Sequence, residues 1–188
     1  MQKVVFILLT GLFLCNFWAC KNEKGSAADE IGSEKVDTAD IAAFYPLLNQ
    51  KKLNTMDVYN YRKNAETELE SRIKTQGNKS YTIIDKDIWA VRFVVYGSDV
   101  SKPEDNEGKW IDFKEDLTYT YGLKQEEKGA GRYHYNFEEG IILMLDNDER
   151  IKPSEFGLKP FNDVLILEGK FTYSDNNMQA KLERIKPF

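Results

Sequence analysis

A single histidine, His134, and two cysteines, Cys15 and Cys20, are all that the chain offers for transition-metal or thiol chemistry. One imidazole without a second His or a free thiol does not make a zinc site. No glycine-rich loop is present to cradle phosphate, and no nucleophile elbow surrounds a serine to form a triad with His134. Carboxylates are plentiful but scattered, so no glycosidase-like pair stands out. The run Asp146-Asn147-Asp148-Glu149 lacks the glycine and distal Glu of an EF-hand loop and reads as a solvated turn. Blocks of Lys and Arg are also missing, and the formal net charge is −5. Neutralising phosphates needs clustered cations, so nucleic acid is not an expected partner. The expectation is a protein that is no enzyme and needs no cofactor.

The start of the chain has the parts of a secretory signal. Lys3 supplies the charge, and Val4 to Leu14 form an apolar stretch of about 11 residues. A helix crossing about 30 Å of hydrocarbon needs roughly 20. Small Ala19 precedes Cys20, as a lipoprotein signal peptidase requires, with Phe17 in the place usually held by Leu. Bulky Leu14 makes Cys15 the poorer choice. Residues 1–19 therefore read as a lipoprotein signal peptide, with Cys20 as the lipid-bearing first residue of the mature chain. Several acyl chains, at about 0.8 kcal/mol per buried methylene, would hold it to a membrane. Lys21 stands where inner-membrane retention signals have Asp, which favours the outer membrane; the periplasmic and cell-surface faces both stay open. After cleavage Cys20 is the sole cysteine, so no intrachain disulfide can form and packing must supply the stability.

Residues 20–37 are the lipid anchor and a small, charged, flexible tether. Residues 38–80 are expected to be helical and to pack on the domain behind them. Residues 39–50 read as a short helix or helical turn, limited by Pro46. A longer one spans 54–76, capped by Asn54 or Thr55, with Val58, Tyr61, Ala65, Leu69 and Ile73 on one stripe and Gly77 at its end. Residues 81–188 then change to period two. Strands are expected at 81–96, 108–113, 117–122, 130–137, 141–145, 163–173 and 178–185. In the first, Trp89, Val91, Phe93 and Val95 share one face. In later ones the rows are Leu117, Tyr119, Tyr121 and Tyr133, Tyr135, Phe137. The fold class is thus mainly β with preceding helices: an antiparallel meander of up to eight strands that can close into a small barrel and remove its exposed edges.

The stretch from Trp89 to Arg184 resembles the lipocalin-like domains of lipoproteins in Bacteroidota. Four phrases carry the resemblance: Gly108-Lys109-Trp110-Ile111-Asp112-Phe113-Lys114-Glu115-Asp116-Leu117-Thr118-Tyr119, Gly131-Arg132-Tyr133-His134-Tyr135, Asp163-Val164-Leu165-Ile166-Leu167, and Met178 to Arg184. It implies a lipocalin-like barrel whose first strand carries a Trp and whose last carries an Arg stacked over it. Trp89 and Arg184 hold those positions. Such domains have Gly two residues before the Trp, where this chain has Asp87.

Two functions follow as expectations. In one, the barrel takes a small apolar or amphipathic ligand, lined by Tyr119, Tyr121, Tyr133 and Tyr135. The bulk of these side chains argues for a filled interior if they point inward. In the other, the protein is a structural or interaction lipoprotein that binds another envelope protein through helix 54–76 or an aromatic face.

Overall fold

Alternating apolar residues along successive short strands can be buried only if the sheet curls around them, and here it closes completely. The computed structural model describes residues 34–45, 47–48, 50, 53–77, 83–174 and 176–185. Cys15, Cys20 and the expected signal peptide lie outside them. The described strands are β1 (Ile88–Tyr96), β2 (Asp99–Val100), β3 (Lys109–Phe113), β4 (Thr118–Leu123), β5 (Glu126–Asn136), β6 (Ile141–Asp146), β7 (Ser154–Phe161), β8 (Val164–Gly169) and β9 (Met178–Ile185). Each of β3 to β8 pairs antiparallel with the next, and β1 pairs with both β3 and β9. This makes a closed eight-stranded barrel, with β2 as a short flap on β1.

The register departs from the sequence expectation in β1. Val91 pairs with Leu182 but Phe93 with Lys181, so Arg92 is a bulge. A bulge shifts the pleat by one residue. Trp89 and Val91 point inward, but Val94 and Tyr96 follow them and Phe93 turns out to solvent. β1 also begins at Ile88 rather than 81; residues 83–87 pass beneath the barrel with Ile84 buried. β5 begins four residues before the expected 130. The strand expected over 163–173 stops at Gly169 and continues as a 3-10 turn, Phe171–Tyr173.

β7 is an additional strand that sequence periodicity did not show. Gly157, Lys159 and Pro160 break its pattern. Its pairing with β6 covers only Ser154 to Gly157, so Pro160 faces a partner strand on the β8 side alone. A residue lacking its N–H is tolerated at such a place.

Of residues 39–50, expected as a short helix or helical turn, a single turn is helical, α1 (Ala39–Ala42). The chain beyond it brings Tyr45 and Leu47 over the barrel mouth, both buried. Helix α2 (Thr55–Gln76) is capped by the Asn54 side chain, which accepts from the Asp57 N–H at 2.8 Å. Gly77, at φ 80°, ends it with an N–H donated to the Ile73 carbonyl. Its buried Ala65 and Leu69 pack on Leu143, Leu145 and Tyr173, on the outer wall over β5 and β6. Arg62 fastens the helix to the next loop by donating to the carbonyls of Asp146, Asp148 and Ile151. Of the expected tether, residues 34–36 are tied to this domain: Lys35 bridges Asn54, and Thr55 N–H donates to the Glu34 carbonyl. Among the described residues, no helix is long and apolar enough to cross a membrane.

Candidate functional site

The four tyrosines expected to line a ligand cavity are in the interior, and they fill it. Tyr119, Tyr121, Tyr133 and Tyr135 are 0–3% exposed. They pack with Trp89, Phe113, Phe156 and Met144 in one cluster. Tyr119 donates to Asp146 Oδ2 at 3.0 Å, Tyr121 to Oδ1 at 3.4 Å, and Tyr133 to the Lys114 carbonyl at 2.9 Å. Tyr45 closes the mouth by stacking on Tyr121, ring centroids 4.4 Å apart. An eight-stranded barrel is just wide enough for its own side chains, and this one uses that width. Tyr119, Tyr133 and Tyr135 are therefore core, and Tyr121, also packed in the core, borders only a recess of about 240 Å³ at the mouth beside Ile41, Phe44 and Asp146.

Asp146 corrects the expectation of a solvated turn. It ends β6, points inward and is 3% exposed. Burial pushes its carboxyl above the usual range, opposed by the Asp148 N–H and the two phenols. His134 points the other way, beneath α2, where burial and the Arg72 charge lower its pKa. It lines neither of the two clefts described below.

At the opposite end, Trp89 and Arg184 are cross-strand partners in the β1–β9 seam. The guanidinium carbon lies 5.1 Å from the indole centroid. Asp87, the departure from the lipocalin-like pattern, ion-pairs with Arg184 at 3.1 Å. Trp89 Nε1 donates to the Ile84 carbonyl at 2.7 Å.

Open space lies on the outer wall. β1 and β3 pair over only three residues, from Ile88↔Asp112 to Ala90↔Trp110, before they diverge at the Arg92 bulge. The divergence leaves a cleft of about 470 Å³. Its apolar surfaces are Ala90, Ile185 and the Trp110 ring, and Lys109, Lys124 and Arg92 border it. A second recess of about 300 Å³ shares Val91, Arg92 and Asn106 and is rimmed by Glu104 and Glu107. Clefts of several hundred Å³ with apolar walls and few polar groups are the usual form of small-molecule sites.

Local structure builds this cleft from the hairpin β4–β5. The two-residue turn Lys124-Gln125 is held by Lys124 N–H donated to the Gly108 carbonyl at 2.6 Å. Trp110 Nε1 donates to the Lys124 carbonyl at 2.8 Å. The indole crosses the backbone at its cross-strand partner Gly122, where a Cβ would overlap both the ring and the Glu126 carbonyl. Gly122→Ala should therefore push Trp110 out of the cleft. The expected loss is about 1–3 kcal/mol in urea unfolding, as for other overpacked sites, with a red-shifted Trp110 emission. Unchanged emission and stability would show that the ring does not depend on this glycine.

Sequence reasoning did not single out Lys109, Lys124 or Trp110 as a site. One signal was present: parity places Trp110 opposite to Ile111 and Phe113, hence outside. Charge distinguishes the two lysines. Neither forms an ion pair with a described residue. Arg92, by contrast, is held by Glu183 at 2.9 Å. Burial lowers the Lys109 pKa, with Asp105 acting in the other direction.

No family model matches the chain, and no curated protein matches it. Among solved structures, a DUF4847 family protein from Bacteroides vulgatus ATCC 8482 is similar to it. The two share 14% identity over 56% of this chain and 97% of that one, with a TM-score of 0.40.

Proposed function

We propose that this chain is an outer-membrane lipoprotein, anchored through Cys20, whose lipocalin-like barrel is a rigid scaffold for binding a small amphipathic ligand. The ligand sits on the outer wall, beside Trp110, and not in the lumen. The observation that carries this reading is the contrast between a barrel filled by its own tyrosines and an apolar cleft opened where β1 leaves β3. The protein acts by binding, without catalysis and without a cofactor. Its acidic charge makes nucleic acid a poor partner.

A second reading, an interaction lipoprotein for another envelope protein, has its own support. Phe137 and Phe161 are 56% and 62% exposed, Phe137 in the turn after β5 and Phe161 at the end of β7, both at the Trp89 end of the barrel. Helix α2 is a poor contact site because its apolar stripe is covered by the sheet.

One experiment separates the readings. The Cys20→Ser variant is expressed in its host, recovered from the soluble fraction and examined by native mass spectrometry. A retained small molecule is expected, in a folded protein no longer held to the membrane. A co-purifying protein with no small ligand would favour the second reading. A variant still firmly membrane-bound would overturn the anchor.

A further inference from the structure

We infer that the seam cleft selects a small amphipathic anion, its apolar body against Trp110 and its negative group between Lys109 and Lys124. This rests on the proposed ligand-binding role and adds the chemistry of the ligand. The chain as a whole is acidic, so two ammonium groups without ion-pair partners among the described residues, beside an apolar recess, are a local reversal of charge. Lys109 is half-buried without an ion pair, with only the longer-range attraction of Asp105, so an incoming anion restores what burial removed; exposed Lys124 adds charge at the same border. The lowered pKa of Lys109 has that cause.

Geometry limits the ligand further. Apolar contact is available on Ala90, Ile185 and the indole face; Lys109 and Lys124 border the cleft, and the third cation there, Arg92, is already engaged by Glu183. Across the shared Val91–Asn106 wall, Glu104 and Glu107 rim the adjoining recess. A second negative group extending that way would meet like charge. The cleft therefore fits one anionic head on a compact apolar body, and it disfavours a dianion with charges at both ends.

The test uses two dyes of similar shape and different charge on the full-length Cys20→Ser protein. They are 8-anilinonaphthalene-1-sulfonate, an anion, and N-phenyl-1-naphthylamine, which is neutral. Both are expected to bind, the anion more tightly. Lys109→Gln with Lys124→Gln should weaken the sulfonate roughly tenfold, the loss of one well-formed charged contact, and leave the amine within about twofold. Raising salt from about 50 to about 500 mM should weaken only the sulfonate, which tests the unsubstituted site directly. Ala90→Glu, which places a carboxylate on the apolar wall, should abolish both.

Equal binding of the two dyes, indifferent to salt and to the lysines but lost in Ala90→Glu, would overturn anion selection and leave the ligand-binding role standing. Failure of both dyes to bind, or binding that survives Ala90→Glu, would overturn both.

Discussion

Trp89→Ala should lower the stability of the barrel by about 3–5 kcal/mol, the usual range for removing a fully buried aromatic. At roughly 2–4 °C per kcal/mol for a domain of this size, the melting temperature should fall by about 6–20 °C. Three contributions are lost together. The indole is 1% exposed in the core, so its removal leaves a cavity. Its N–H bond to the Ile84 carbonyl holds residues 83–87 beneath the barrel. Its ring carries Arg184, which also pairs with Asp87. All three act at the β1–β9 seam, where the first and last strands meet, so the damage falls on closure itself. Arg184→Met should cost only about 1 kcal/mol, because the guanidinium is partly solvated and its ion pairs are screened. Urea unfolding of the Cys20→Ser protein measures both, with Trp110 as the remaining indole among the described residues. Trp89→Ala within about 1 kcal/mol of the parent would refute a closing role for this pair.

The rows of Tyr119, Tyr121 and of Tyr133, Tyr135 were readable as one face of their strands because period two is a local property. Whether that face enclosed a cavity was not. The answer depends on what stands opposite each ring. Tyr119 and Tyr121 lie across Gly131 and Gly129, and each ring occupies the space that a Cβ would take. Those same glycines interrupt the alternation of β5, which hid the strand's first four residues. The bulge at Arg92 was hidden for a related reason. It is a property of the β1–β9 register, and nothing local to β1 records it. The cleft beside Trp110 follows from that bulge and from the three-residue pairing of β1 with β3, so it too lies beyond local pattern. β7 escaped because Ser154 to Leu158 are buried on both faces, under α2 and in the core, and no alternation survives. Helix α2 was the most legible element: its stripe, Asn54 cap and Gly77 stop are all signals within one turn of the residues they govern.

The second large effect is expected at the junction that helix makes with the barrel. Arg72→Met should destabilise the protein by about 3–5 kcal/mol at neutral pH, the range for removing one partner of a buried ion pair. Arg72 donates to Glu155 Oε1 at 2.7 Å and to Glu68 Oε1 at 2.7 Å. Glu155 is 6% exposed and otherwise accepts from the Thr172 hydroxyl. Without the guanidinium, a carboxylate is left under the helix with one neutral donor. Replacing both partners, Arg72→Met with Glu155→Leu, should restore most of the loss, since an apolar pair of similar volume needs no solvation.

The pH dependence adds a check that simple loss of packing would not give. His134 sits in the same junction, and its pKa is lowered first by burial and then by the Arg72 charge, against a hydrogen bond with the Gly77 backbone. A histidine whose folded pKa lies below its unfolded value near 6.5 supports the fold fully above that value. The support is lost as pH falls from there through the folded pKa, at up to about 1.4 kcal/mol per pH unit. Removing Arg72 brings the folded pKa closer to the unfolded one and shortens that window. The Arg72→Met variant should therefore be much the weaker protein at pH 7 and closer to the parent at pH 5. Urea midpoints at the two pH values, with an NMR titration of the one imidazole, measure this. A deficit that stays constant or grows on acidification would show that Arg72 and His134 are not coupled through the charge that the structure places between them.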